Sequence, residues 1–131
     1  MRETFAPTAE RIEALTRDAL ARLPEPFRQH LDGVVIRIEE WPDDAVLDEL
    51  GIEDPIELTG LYTGHPIGEK SSFDTNGMPD IIQLFRIPIL YEWAETGVSL
   101  EALVTHILVH EVGHHFGLSD ADMHGLEDSA G

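Results

Sequence analysis

Residues 99–117 read SLEALVTHILVHEVGHHFG, and no other part of the chain says as much about its architecture. Ser99 is a helix cap, Glu101 suits the positive end of a first turn, and Gly117 is free to take the positive φ that ends a helix. At about 100° per residue, Leu100, Leu103, Val104 and Ile107 share one arc, and His110 and His114, roughly 40° apart, continue it. Glu111 stands about 100° from His110. The spacing therefore predicts a helix whose apolar face ends in two imidazoles and a carboxylate. An ionised carboxylate buried without a partner is costly, and a buried imidazole must satisfy both nitrogens, so something has to compensate these groups.

His110, Glu111 and His114 form H-E-x-x-H. The i, i+4 spacing aims two imidazole nitrogens at one ion about 2 Å away, and Glu111 reaches a water on that ion but not the ion itself. The bare pattern arises by chance about once in 25 chains of this composition, so alone it is only suggestive. Gly117 and Asp120 follow His114 at offsets that let the chain turn back and present a third ligand. With both required, the chance estimate falls to about one in 3,500, which makes the elongated H-E-x-x-H-x-x-G-x-x-D a strong signal. Two His and one carboxylate leave a fourth position open, the catalytic rather than the structural zinc arrangement. The carboxylate partly neutralises the ion, so a water on it should be less acidic than at a three-His site. One Zn2+ is the expected ion, with manganese, cobalt and iron tolerated by such donors.

Composition narrows the remaining choices. The 131 residues carry 26 Asp plus Glu against 8 Lys plus Arg, a formal charge of -18, and are 42% hydrophobic. One domain over 1–131 is expected, since this length buries roughly two-thirds of its unfolded surface. The apolar residues are periodic rather than diluted, which argues against disorder despite the charge. No cysteine is present, so disulfides, thiolate catalysis and Cys-type metal sites are excluded, and any metal falls to His, Asp or Glu. The opening MRETFAPTAERIEALTRD has no long apolar core of a secretory leader, and no stretch of 18 apolar residues occurs. The expectation is a cytoplasmic protein without membrane contact. So negative a field repels phosphate backbones and attracts cations and basic peptides, which disfavours nucleic acid as a partner.

Elsewhere the chain alternates helices and short strands. Thr8 to Leu23 carries Ile12, Leu15, Ala19 and Leu23 at helical spacing, and Pro24 stops it. Pro26 to Leu31 adds a turn, and Val34 to Ile38 reads as a buried strand. Ala45 to Leu50 reads as a helix capped by Asp43 or Asp44 and stopped by Gly51. Leu58 to Thr63 is a second strand weakened by Gly60, and Gly64 to Pro79 a long loop. Asp80 to Ile87 is a third strand, ended by Pro88, which starts a helix over Ile89 to Glu95. The prediction is an α+β domain with a small, mainly antiparallel or mixed sheet of about three strands and the H-E-x-x-H helix near the C-terminus.

With these residues in view, the chain resembles a known family. LTGLYTGHP near residue 60, MPDIIQLFRIPIL near 85 and VHEVGHHFGLSDADMH at 109–124 look like small bacterial proteins described as zinc metallopeptidase candidates with a minimal zincin fold. The likeness covers nearly all of residues 8 to 127. It implies zinc on His110, His114 and Asp120, with Glu111 as base. The elongated motif is similar to that of metzincins, which usually have His where this chain has Asp120. Their Met-turn lies further downstream, so Met123 is read as a packing residue. Thermolysin-like zincins take a Glu about 20 residues or more beyond the second His, and Glu127 lies too near for that layout. By elimination Asp120 is the expected third ligand, with His124 a rival and Asp122 a weaker one.

The leading functional reading is a zinc peptidase acting on extended, basic or unfolded peptides laid along a sheet edge, with the Asp80 to Ile87 strand offered as that edge. Two other readings compete: a zinc-stabilised binding module without turnover, and a metal-dependent ribonuclease, the latter weakened by the charge. His106 and His115 are read as solvated or as supporting the site from behind its ligands. His124 is read as a supporting group if it is not a ligand. Tyr62 and Arg86 could polarise a carbonyl but read more simply as packed or exposed strand residues. Oligomeric state is not encoded in any motif.

Overall fold

Thr8 opens the first helix, α1 (Ala9–Ala21), by accepting the Arg11 N–H on its hydroxyl at 3.1 Å, and buried Ile12, Leu15 and Ala19 form its inner stripe. The computed structural model describes residues 5–64 and 79–130. A single turn, α2 (Phe27–His30), follows, then β1 (Val35–Glu39) and α3 (Asp44–Leu50), which ends at Gly51. Further on come β2 (Gly60–Thr63), β3 (Ile81–Phe85), α4 (Arg86–Thr96), α5 (Leu100–Phe116) and α6 (Asp120–Ala130). Six helices and a three-stranded mixed sheet among the described residues make an α+β architecture. The expected Gly64 to Pro79 loop lies, apart from its ends, outside the described residues.

The sheet order is β1-β3-β2, with β3 parallel to β1 and antiparallel to β2. Two rows of side chains cross its inner face in register. Ile36, Ile82 and Tyr62 form one, and Ile38, Leu84 and Gly60 the other. Helix α1 packs against β1 and α5, and α5 against β2 and α6. The missing side chain of Gly60 is what lets α5 lie this close: a Cβ there would stand 2.9 Å from Ile107 Cγ2, 3.1 Å from Leu84 Cδ2 and 3.3 Å from Glu111 Cγ. The glycine that weakens this strand by propensity thus serves the packing of the H-E-x-x-H helix.

Several boundaries differ from expectation. Strand β2 is shorter than Leu58 to Thr63 because Pro55–Glu57 coils into a 3-10 turn, with Asp54 Oδ1 accepting the Ile56 N–H at 3.1 Å. Strand β3 ends at Phe85 rather than Ile87. Helix α4 starts at Arg86, placing Pro88 third in its first turn, where no intrahelical donor is needed. The largest difference is α6, read from sequence only as returning chain. Ser119 caps it, its hydroxyl accepting the Asp122 N–H at 3.1 Å while Asp122 Oδ2 accepts the Ser119 N–H at 3.5 Å. Among the described residues of α6, Met123 and Leu126 supply the buried apolar contacts, so packing on α5 rather than an extended stripe holds it. Helix α5 itself is buried on more than one side, including Thr105, Leu108, Val109 and Val112 besides the expected arc.

Candidate metal centre and its surroundings

The candidate site residues gather where α5 emerges from the core. His110 and Glu111 are half-buried and His114 is exposed, so the apolar face runs out to the surface here instead of enclosing both imidazoles. The His110 and His114 rings stand 6.2 Å apart at 85°, on the same side of the helix. Gly117, at φ 71°, ends α5, and the Leu118 N–H returns to the Gly113 carbonyl at 2.8 Å. That turn delivers Asp120 as the first residue of α6 rather than as a loop residue. The Asp120 charge is near enough to act on His110, opposing the depression of its pKa. Burial is the main cause of that depression, with His106 and His114 adding to it and Glu127 opposing it, so His110 favours the neutral form that can donate a lone pair.

Glu111 lies against the edge of the sheet. Burial raises its carboxyl from an ordinary 4.5 to about 7, and a hydrogen bond from the Tyr62 backbone N–H works in the other direction. Tyr62 is itself anchored, its hydroxyl donating to Asp80 Oδ2 at 2.8 Å. Burial, then the bond to Asp80 and the Asp80 charge, push the Tyr62 phenol above its ordinary pKa. His115 stacks on the Tyr62 ring at 4.1 Å and 13°, with Nε2 3.8 Å from Asp80 Oδ2. Its side chain is only 5% exposed, so the solvated reading of His115 does not hold: it packs behind the strand that supports Glu111.

Helix α6 runs back along α5, bringing Met123 against Gly113 and Glu127 against His106. His106 Nδ1 lies 2.9 Å from Glu127 Oε1, and its ring is 4.2 Å from that of His110. Among the described residues, His106, His110 and Glu127 are the set whose candidate ligand atoms all fall within 4.8 Å of one another. Sequence reasoning set Glu127 aside on chain distance. The signal that could have placed it was the Ser119 and Asp122 cap, which starts a helix and so fixes where Glu127 returns. Met123 is buried, as a packing residue should be. His124 is exposed, and Asp122 is committed to capping. Arg86 is structural, its Nε donating to the Pro7 carbonyl at 2.8 Å and its Nη1 to Glu40 Oε1 at 2.9 Å.

The profile of the zincin-like metallopeptidase family matches residues 31–130, which spans the whole sheet, the H-E-x-x-H helix and α6. The chain belongs to the zincin-like metallopeptidases. Comparison with curated proteins returns no match. Membership in this family implies zinc, and the donors at the end of α5 have suitable chemistry: imidazoles one helical turn apart, with carboxylates arriving from α6. No described helix is long and apolar enough to cross a membrane. One expectation about this zincin-like chain is overturned. The Asp80 to Ile87 strand offers no free edge, because β3 pairs with β1 on one side and β2 on the other. The strand beside Glu111 is β2, which among the described residues pairs with β3 alone.

Proposed function

We propose that this zincin-like chain is a zinc-dependent peptidase in which His110, His114 and Asp120 hold the ion and Glu111 is the general base. The observation that carries the reading is the placement of Glu111, a half-buried carboxyl next to His110 on α5, held by the Tyr62 N–H against β2, which among the described residues pairs on one side. A carboxyl poised near neutrality exchanges protons in both directions at little cost, which acid–base catalysis requires and a solvated surface glutamate does not offer. Zinc, when bound, supplies Lewis acidity to the scissile carbonyl and to the attacking water.

The chain's own residues account for the rest. Glu111 takes a proton from the attacking water and hands it to the leaving amine. Tyr62, tied to Asp80 and stacked on His115, keeps the β2 backbone fixed so that its N–H orients the Glu111 carboxylate. An extended peptide pairs along β2 by main-chain hydrogen bonds, which favours unfolded substrates. The charge of -18 biases that choice toward basic ones.

The test compares zinc-loaded wild type with Glu111→Gln on a peptide library. Loss of about 10²- to 10⁴-fold in cleavage rate is expected for the variant. Equal cleavage by both proteins would remove Glu111 from the chemistry, and absence of cleavage in both would leave the zinc-stabilised binding module as the better description.

A further inference from the structure

The i, i+4, i+8 placement of His106, His110 and His114 gives α5 a ladder of three imidazoles, and the proposed function uses only two. The third, His106, faces a carboxylate supplied by a different helix. Glu127 Oε1 sits 2.9 Å from His106 Nδ1, and the His110 ring is nearer to that of His106, at 4.2 Å, than to that of His114, at 6.2 Å. Glu127 is not a loose surface group. It lies one residue after buried Leu126 and one turn after Met123, which seats on Gly113, so packing of α6 on α5 sets its position. The adjoining groove is lined by Ser99, Glu101, Thr105, Glu127 and Asp128, and its three carboxylates draw cations toward this point.

We propose that His106, His110 and Glu127 form a second position for a divalent transition metal, sharing His110 with the His110–His114–Asp120 set. Two imidazoles and a carboxylate suit zinc or a neighbour in the first row, and atoms already within 4.8 Å of one another need little movement to close on an ion. A neutral imidazole has one free lone pair and so serves one ion, which makes the two positions alternatives and leaves the chain one zinc at a time. That exclusivity rests on the proposed primary set, whereas the second position stands on its own geometry. An ion seated at His106 and Glu127 takes His110 from the primary set, which makes the position inhibitory.

The experiment titrates zinc alone into chelator-stripped protein by calorimetry, with circular dichroism to verify folding. His114 and Asp120 are exposed, so their replacement spares the core. Wild type should bind one equivalent. His114→Ala/Asp120→Asn should still bind one equivalent, more weakly. Adding His106→Ala or Glu127→Gln to that pair should lower the remaining affinity about tenfold or more. His106→Ala/Glu127→Gln alone should keep one equivalent at the primary set. If His114→Ala/Asp120→Asn binds no zinc, or binds it with an affinity indifferent to His106, the second position does not exist, while the peptidase reading survives. No zinc binding by folded wild type would overturn both.

Discussion

Gly113 lies inside the H-E-x-x-H motif, and the structure gives it a packing duty that can be isolated. A Cβ on Gly113 would fall within the van der Waals envelope of Met123 Sδ and Cγ, where α6 crosses α5. In an exposed helix interior, Gly→Ala gains about 1 kcal/mol. Here the added methyl forces Met123 aside at an overpacking cost of about 1–3 kcal/mol. Gly113→Ala should therefore be neutral to destabilising by about 2 kcal/mol. Met123 is 3% exposed, and Met123→Ala should cost about 2–5 kcal/mol through the cavity it leaves. In that background the obstruction is gone, so Gly113→Ala should become stabilising by about 1 kcal/mol. The sign change implies a coupling energy of about 1–3 kcal/mol. Urea unfolding of the four proteins at one fixed zinc concentration, followed by far-ultraviolet circular dichroism, measures it. If Gly113→Ala has the same effect with and without the Met123 side chain, the proposed contact does not govern how α6 seats on α5.

Three further outcomes follow from the same geometry. In zinc-free protein the folded chain holds the Glu111 proton up to about pH 7, whereas the unfolded chain releases it near 4.5. Stability should thus fall as pH rises through that window, by at most about 3 kcal/mol, and Glu111→Gln should remove the slope; parallel pH profiles from chelated samples would contradict the burial argument. Gly60→Val places a branched side chain where even a Cβ is 2.9 Å from Ile107 Cγ2, so a loss of about 1–3 kcal/mol is expected in thermal unfolding, and an unchanged midpoint counts against close approach of α5 to β2. Tyr62→Phe strips Asp80 of its phenolic donor and should cost about 1–3 kcal/mol, measured by denaturant titration, with no loss meaning that solvent replaces the bond freely.

Local rules made much of this chain readable. Thr8, Ser99, Gly51 and Gly117 mark helix ends by chemistry that acts within one turn, and each boundary falls where those residues stand. The Pro88 boundary was misplaced by a few residues because a proline third in a helix and a proline ending a strand satisfy the same local constraint. Helix α6 was harder to see. Its propensities are poor and its apolar residues few, and what stabilises it is contact with α5, which no window of sequence contains.

The same division runs through the site. His110, Glu111 and His114 share a helix, so their juxtaposition is a matter of 3.6 residues per turn and could be read directly. Asp120 follows His114 across one turn at Gly117, and that chain proximity is what makes it a candidate. The identity of the edge strand, the support of Glu111 by Tyr62, the burial of His115 against Asp80 and the meeting of Glu127 with His106 were decided by tertiary structure alone. Each depends on which strand lies central in the sheet and on how one helix doubles back along another, and long-range packing settles both.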